Sequence, residues 1–294
     1  MTYKMRKIGY EITLQGGSFS DTDSSQNTLL INDVRSYVSL EINGGITGLT
    51  MDAQIYGLTV DQMARISGSG FKYTASQGAK IRVIVDGATF FQGQIIWARP
   101  EYNQAPDIPL VISAMSNPED MWKPITDTSI AGASNLKDIL SALGGKVGVT
   151  VGDCNINQVF NNVALRGGFI SQLNQLQQML DPLDIFLDYD SQHISAYKQS
   201  SVNSTDNQDI LLSKETGMIG YPTFMEYGII VNAIYNPDFK INRFVQVQSE
   251  VPNVSGEYKI VQGSRIELSS WVDNGPWMAT LMLVHPNVSE DDDQ

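Results

Sequence analysis

The sequence predicts a mainly β fold with an α+β insertion: two small β-barrels flanking an α+β domain. Three observations carry this. Short runs of alternating apolar and polar residues fill residues 1–115 and again 216–284, the period-two pattern of half-buried strands. Turn chemistry interrupts those runs at near-regular spacing, as in a small barrel or sandwich. Between them the apolar spacing changes to the i, i+3, i+4, i+7 pattern of amphipathic helices. The expected division is 1–115 for the first barrel, 116–204 for the α+β domain, 205–288 for the second barrel, and 289–294 for a disordered acidic tail.

In chain order, Tyr10 to Leu14 alternate as a first strand, followed by a polar, Ser/Asp-rich stretch from Gly16 to Thr28. That stretch reads as a solvated hairpin tip. Val34, Ser36, Val38 and Leu40 alternate with Arg35, Tyr37, Ser39 and Glu41, and Gly44-Gly45 turns the chain. Thr59 with Gln62 three residues on forms a capping box, which predicts a short helix burying Met63 and Ile66. Lys80–Asp86 and Thr89–Ala98 make a hairpin whose Asp86-Gly87 pair suits a type I′ turn. A proline-bearing loop over 102–109 leads to a closing strand, Leu110–Ala114, and Ser116-Asn117-Pro118 marks a boundary.

Ser134 is expected to cap a helix with Leu136, Ile139, Leu140, Leu143 and Val147 on one face, ended near Gly144-Gly145, and Val147–Val151 is read as a strand. A second helix from about Gly168 presents Phe169, Leu173, Leu176, Met179 and Leu180, until Pro182 stops it. Ile185 and Leu187 then pair across Asp190-Ser191 with Ile194 and Ala196. Ser201–Asp209 reads as a linker. Beyond it, Ile229, Val231, Ala233 and Tyr235 share one parity, Asn236-Pro237-Asp238 breaks the run, and further short strands follow through Val247, Ile260 and Leu268 to an apolar run at 277–284.

Composition narrows function mainly by exclusion. With 294 residues and 42% hydrophobic residues the chain can bury two or three cores. No apolar run approaches the ~20 residues that span a bilayer, and MTYKMRKIGY has no apolar core of a secretory leader. Neither membrane insertion nor export is expected, and a cytosolic product is. Cys154 is the only cysteine, so an intrachain disulfide and a multi-cysteine zinc site are excluded. The charge of −13, from 19 basic and 32 acidic residues, opposes a phosphate grip and predicts no specific nucleic-acid binding. The acids serve either solubility or a surface that DNA slides past without sticking.

No catalytic, cofactor-binding or metal-ligating residue emerges. His193 beside Asp190 and Ser191 sits on one tight turn, whereas triad members converge from distant segments. His285 falls before Pro286 at a strand end, and no acidic spacing marks a metal centre. Gly44-Gly45 and Gly68-Ser69-Gly70 lack the Gly-Lys-Ser/Thr ending of a phosphate loop. With so many acids, some carboxylate pair always exists, so glycosidase geometry is not indicated. Trp97, Trp122, Trp271 and Trp277 read as core or subunit-contact anchors rather than a sugar platform. The expectation is a non-enzyme without cofactor.

One further reading rests on likeness. The run Thr216-Gly217, Ile219-Gly220-Tyr221-Pro222, then Gly228-Ile229 leading into Tyr235-Asn236-Pro237, resembles the C-terminal region of phage contractile-tail baseplate hub proteins. Gly256-Glu257-Tyr258-Lys259-Ile260-Val261 and Asn274-Gly275-Pro276-Trp277 continue the resemblance. That group includes the late control protein D family and the hub portion of the type VI secretion spike protein. The segment KIRVIVDGATFFQGQIIWARP and the helix FISQLNQLQQML match its look as well. Where such proteins often carry a histidine after the G-x-Y-x-V strand, this chain has Gly263-Ser264-Arg265.

The resemblance implies two related tail-tube-like barrels around the α+β insert, with Gly16–Thr28 as a mobile arm or contact loop. It implies a homotrimeric ring that adapts a sixfold tail tube to a threefold spike and lets DNA pass. Its partners would be further copies of itself, a tail-spike protein supplied as a separate chain, the tail tube protein and other baseplate (wedge) proteins. Its place would be the virion baseplate, assembled in the host cytoplasm. The alternative is a tail-tip adhesin or a cell-wall-degrading tail component of similar β-domains.

Overall fold

The computed structural model describes residues 6–23, 25–46, 48–67, 78–116, 124–189, 193–198 and 210–285. The chain is mainly β, with three α-helices of eight residues or more among those described. It divides into two compact units. The first comprises residues 1–41, 49–119 and 266–278, and the second 42–48, 120–265 and 279–294.

In the first unit, β1 (Ile8–Thr13) pairs antiparallel with both β2 (Thr28–Ile31) and β5 (Lys80–Val85). Ile8, Tyr10 and Ile12 are buried, the alternation expected of a strand with one core face. Glu11 lies opposite Arg82, and the guanidinium Nε donates to the carboxylate at 2.9 Å, a cross-strand pair that fixes register. β5 turns into β6 (Ala88–Pro100) through Asp86-Gly87, with Val85 opposite Ala88. Both turn residues have positive φ, 50° and 88°, as a type I′ turn requires. β6 continues into β7 (Leu110–Met115), which pairs with β4 (Leu49–Ile55). β3 (Ser36–Ile42) lies beside β4 and takes β18 (Ser264–Ser270) on its other side.

α1 (Val60–Ser67) packs on β6 and buries Met63 and Ile66, as its spacing predicts. The capping box is formed. The Gln62 amide N–H donates to Thr59 Oγ1 at 3.2 Å, and the Thr59 N–H donates to Gln62 Oε1 at 3.0 Å, so two otherwise orphaned donors are satisfied.

The second unit holds the insertion and most of the C-terminal strands. β8 (Thr128–Asn135) pairs antiparallel with β10 (Val159–Leu165). β11 (Ile185–Tyr189) pairs with β12 (His193–Lys198), which runs parallel to β9 (Thr150–Cys154). Leu187 faces Ala196 as expected, while Ile194 faces Tyr189 and Ile185 faces Lys198. α2 (Leu136–Val147) and α3 (Phe169–Leu180) bury their apolar stripes with these strands in one hydrophobic cluster.

Four details of the insertion differ from the sequence reading. Ser134 is not a cap: it lies in β8, and α2 starts from Asn135 without a side-chain cap bond. Gly144-Gly145 do not end α2. The helix runs to Val147, and Gly148 caps it in the left-handed region with φ 84°. Gly144 is needed inside the helix because a Cβ there would run into the Val149 carbonyl oxygen. The strand that follows is Thr150–Cys154, three residues later than read. Finally, Met179 is exposed, and Gln172 takes the buried place on α3. Its carboxamide is fully used: Thr128 Oγ1 donates to Oε1 at 2.6 Å, and Nε2 donates to the carbonyls of Thr126 and Gly167 at 3.1 and 2.7 Å. A buried amide with all partners met is compatible with a core.

The remaining strands of this unit are β13 (Ile210–Leu212), β14 (Met218–Met225), β15 (Gly228–Ile234), β16 (Phe244–Val247), β17 (Gly256–Ile260) and β19 (Trp277–Val284). Their order is β13-β16-β17-β19, with β15 on β19 and β14 outermost on β15. Ile229, Val231 and Ala233 are buried on one parity, as expected; Tyr235 lies past the strand end. Pro222 is tolerated in β14 because, among the described residues, that strand pairs only with β15 and has a register shift between Ile219 and Thr223. The linker at 201–209 and the tail at 289–294 lie outside the described residues.

Candidate interaction surfaces

The second unit carries a half-open cleft of ≈ 530 Å³. Gly44 and Gly45 enter it with φ of 63° and 64°, a left-handed pair that side chains rarely adopt. A Cβ on Gly44 would collide with Ile241 Cδ1, so the position also needs glycine for packing. Gln177 of α3 braces one wall. Its Nε2 donates to Asp181 Oδ1 at 2.6 Å and to the Ile185 carbonyl at 3.0 Å, and its Oε1 accepts from the Leu187 N–H at 2.8 Å. Phe186 and Tyr197 stack with centroids 6.3 Å apart. At the rim, His285 lies on Tyr258 with centroids 4.6 Å apart, and Tyr227 stands half-exposed.

Lys259 on β17 is the unusual charge in this cleft. It is only 2% exposed, with Nζ 3.4 Å from the Lys198 carbonyl and 5.1 Å from the Tyr197 ring centroid. Burial pushes its ammonium down to about 8, with the charge of Asp184 opposing the shift. The unfolded chain therefore holds a proton that the folded chain has released between about pH 8 and 10.5. Lys259 therefore makes stability rise with pH through that window, while the thiol of Cys154, raised by burial from its ordinary 9.0, opposes the rise above about pH 9. The buried phenols of Tyr10 and Tyr197 are pushed above their ordinary 10.0, chiefly by desolvation, and act in the opposite sense above pH 10. Urea midpoints are thus expected to climb from pH 7.5 to about 9.5, and Lys259→Met should flatten that climb. An unchanged slope in the variant would show that another group is responsible.

The polar stretch after β1 is anchored to α1. Arg65 donates from Nη1 to the Ser18 carbonyl at 2.9 Å, pairs with Asp21, and holds Asp61 through Nε at 2.8 Å. Residues 18–21 are therefore fixed at the helix rather than forming a free arm. The Asp21 and Asp61 carboxylates raise the affinity of Arg65 for its proton still further.

The histidines, the cysteine and the tryptophans that stand out in the sequence fall on separate elements. His193 begins β12, and its neighbours Asp190 and Ser191 lie outside the described residues, as do Gly68-Ser69-Gly70 and Trp122. Cys154 ends β9 half-buried, and burial raises its thiol pKa. Trp277 is buried under the Arg6 guanidinium at 5.0 Å, and Trp97 lies 5.3 Å from that of Arg99. Trp271 is exposed on the turn before β19, with φ 55°. Among the described residues no cluster of three or more His, Cys, Asp or Glu could hold a metal ion.

One exposed apolar feature escapes a reading of strand periodicity. Along β14 and the turn after it, Ile219, Tyr221, Phe224 and Tyr227 are 43, 68, 61 and 51% exposed. Gly220 and Pro222 conceal the strand in the sequence. The available signal was an uncharged, aromatic stretch between Glu215 and Glu226.

Comparison with known proteins adds a family. Residues 75–271 match the family model described as baseplate hub gp41. No curated protein matches the sequence. Among solved structures, the chain is similar to a tail protein from Neisseria meningitidis MC58, with 10% identity, TM-score 0.61, and coverage of 94% of this chain and 97% of that one. The 43 kDa tail protein of prophage MuSo2 from Shewanella oneidensis gives 12% identity, TM-score 0.61, and coverage of 95% and 98%. An Escherichia coli component of the type VI secretion system, itself similar to the bacteriophage T4 tail proteins gp27 and gp5, gives 10% identity, TM-score 0.57, and coverage of 86% and 73%. At such identities the likeness to these structures is one of fold.

Proposed function

The chain belongs to the baseplate hub gp41 family, and from that premise we propose that it is the structural hub of a contractile phage tail. As a family member it is a tail baseplate component that associates with other tail proteins. In the proposed reading, three copies close into a ring, each contributing two tube-like β-units and one α+β insert. Six similar units then meet a sixfold tail tube on one side and a threefold spike on the other, and wedge proteins attach around them. A closed symmetric ring is the usual solution for a repeated part. The observation that carries the reading is the family match over residues 75–271, joined to a mainly β build around an α+β segment. The division at 1–115, 116–204 and 205–288 is part of the same proposal, and mass analysis of limited-proteolysis fragments tests it by where the first cuts fall.

The role is mechanical and needs no catalytic residue. The genome crosses the ring, and a chain of net charge −13 repels a polyanion over roughly a Debye length, ~8 Å at physiological salt. Acids are expected to outnumber bases along the channel. Mass photometry of the purified protein mixed with its spike protein should find three copies, and free protein should not shift duplex DNA in a low-salt gel. A chain that stays monomeric with both spike and tube present would overturn the ring. A clear DNA shift would overturn the repulsive channel.

A further inference from the structure

We propose that the cleft of the second unit captures the C-terminal residue of another polypeptide chain, with Lys259 taking the terminal carboxylate and Asn242 the last peptide unit. The inference goes beyond the ring and does not depend on it. Of the polar side chains that line the cleft, these two are the most deeply set, at 2 and 1% exposure. Neither Nδ2 nor Oδ1 of Asn242 meets a hydrogen-bond partner among the described residues. A buried carboxamide left in that state is costly. A ligand that both donates and accepts removes the cost.

The backbone explains how Asn242 comes to be there. Its N–H donates to the Ile260 carbonyl at 2.8 Å, while the Ile260 N–H donates to the Arg243 carbonyl at 2.9 Å. Two residues thus oppose one at the end of the β16–β17 pair, next to Lys259. Asn242 has φ 63°. This is a β-bulge whose first residue is left-handed, a device that re-aims a side chain. Asparagine is one of the few residues besides glycine that visit that region readily, and glycine would bring no carboxamide.

Charge and chemistry choose the occupant. Lys259 and Asp181 are the only Lys, Arg, Asp or Glu among the described lining residues, and Asp184 lies close enough to act on Lys259. One buried cation suits one negative charge, whereas a phosphate chain needs a cluster of them. Asn43, Asn174 and Gln262 also line the cleft. Their carboxamides donate and accept alike, as a peptide backbone does. Ile46, Leu187 and Val284 add apolar surface for the last side chain. At ≈ 530 Å³ the cleft is of small-ligand size, with room for a chain end rather than a domain.

The test is isothermal titration calorimetry on the full chain with three probes. They are N-acetyl-phenylalanyl-leucine, its C-terminal carboxamide, and N-acetyl-glutamyl-leucinamide, whose carboxylate sits on a side chain. The first should bind saturably, and the other two about 10-fold or more weaker, since the charge-assisted bond is lost or misplaced. Lys259→Met should weaken the first probe by about 10-fold or more. Asn242→Gly, which keeps the left-handed backbone, should weaken it by about 5-fold. Lys137→Met, an exposed lysine outside the cleft, should leave it unchanged. Wild-type affinity should fall about tenfold from pH 7 to 9, because above about 8 the carboxylate must first return a proton to Lys259. Asp181, Asp184, Tyr197, Lys198, Tyr227 and His285 are the other titratable residues of the cleft and its edge. A slope that persists in Lys259→Met would assign it to one of them and overturn the pairing. The probe comparison and the pH profile need no variant to fold. Equal binding of all three probes, or no saturable binding of the first in the millimolar range, would overturn the chain-end site. None of these measurements reads oligomeric state, so their failure leaves the ring untouched.

Discussion

Phe169→Ala is expected to lower the free energy of unfolding by about 3–5 kcal/mol, the range for truncating a buried phenylalanine. Phe169 is the first residue of α3 and has no exposed surface. Its ring meets Tyr189 edge-on, with centroids 5.4 Å apart and planes at 75°. Truncation removes the transfer energy of the ring, leaves a cavity in a tightly packed cluster, and loses the aromatic pair, worth about 0.5–1.5 kcal/mol in its own right. Domains are stable by only ~5–15 kcal/mol, so this is a large share. α2 and α3 both belong to the same cluster, and ellipticity at 222 nm during urea titration therefore reports it directly. Phe186→Ala is the contrast. That ring is partly exposed and stacks on Tyr197 at the cleft, and its loss should have a clearly smaller effect. Equal losses would mean that the cluster does not depend on close packing around Phe169.

Gly228→Ala should be as damaging for a different reason. Gly228 begins β15, which pairs with β19. Its backbone is not in the left-handed region, so alanine is conformationally acceptable there. The obstacle is space. A Cβ would run into the Leu283 carbonyl oxygen and lie 3.0 Å from both the Leu283 carbonyl carbon and Val284 Cα. These are backbone atoms of a paired strand, which cannot swing aside as a side-chain tip can. Overpacking ordinarily costs about 1–3 kcal/mol, and contact with a fixed backbone belongs at or above the top of that range. Gly145→Ala supplies the control, because a Cβ there meets nothing within 4 Å and alanine favours the helix by about 1 kcal/mol. Thermal melts of the two variants should move in opposite directions. A neutral Gly228→Ala would mean that β15 and β19 can separate at little cost.

The elements legible in the sequence are those whose cause is local. Asp86-Gly87 turns a hairpin because two adjacent residues can both take positive φ. Thr59 and Gln62 start a helix because they satisfy each other's backbone N–H groups. The apolar stripes of α2 and α3 follow from helical period alone, and the resemblance to the late control protein D family is carried by short turn and strand motifs of the same kind. The β8–β10 pair is not legible in this way, because most of its residues face solvent and β8 shows no alternation.

By itself, then, the sequence determined the fold class, most of each helix's buried face, several turns and the family, since each depends on the order of neighbouring residues. Only the tertiary structure decided which of three glycines ends α2. Gly144 must remain helical to let Val149 approach, and Gly148 is free to take φ 84°. Tertiary packing likewise put Gln172 inside and Met179 outside, because the carbonyls of Thr126 and Gly167 give the amide its partners. It buried Lys259 over Tyr197 and left Tyr221 and Phe224 facing solvent. These outcomes depend on particular contacts, several of them between residues far apart in the chain, that no local period records.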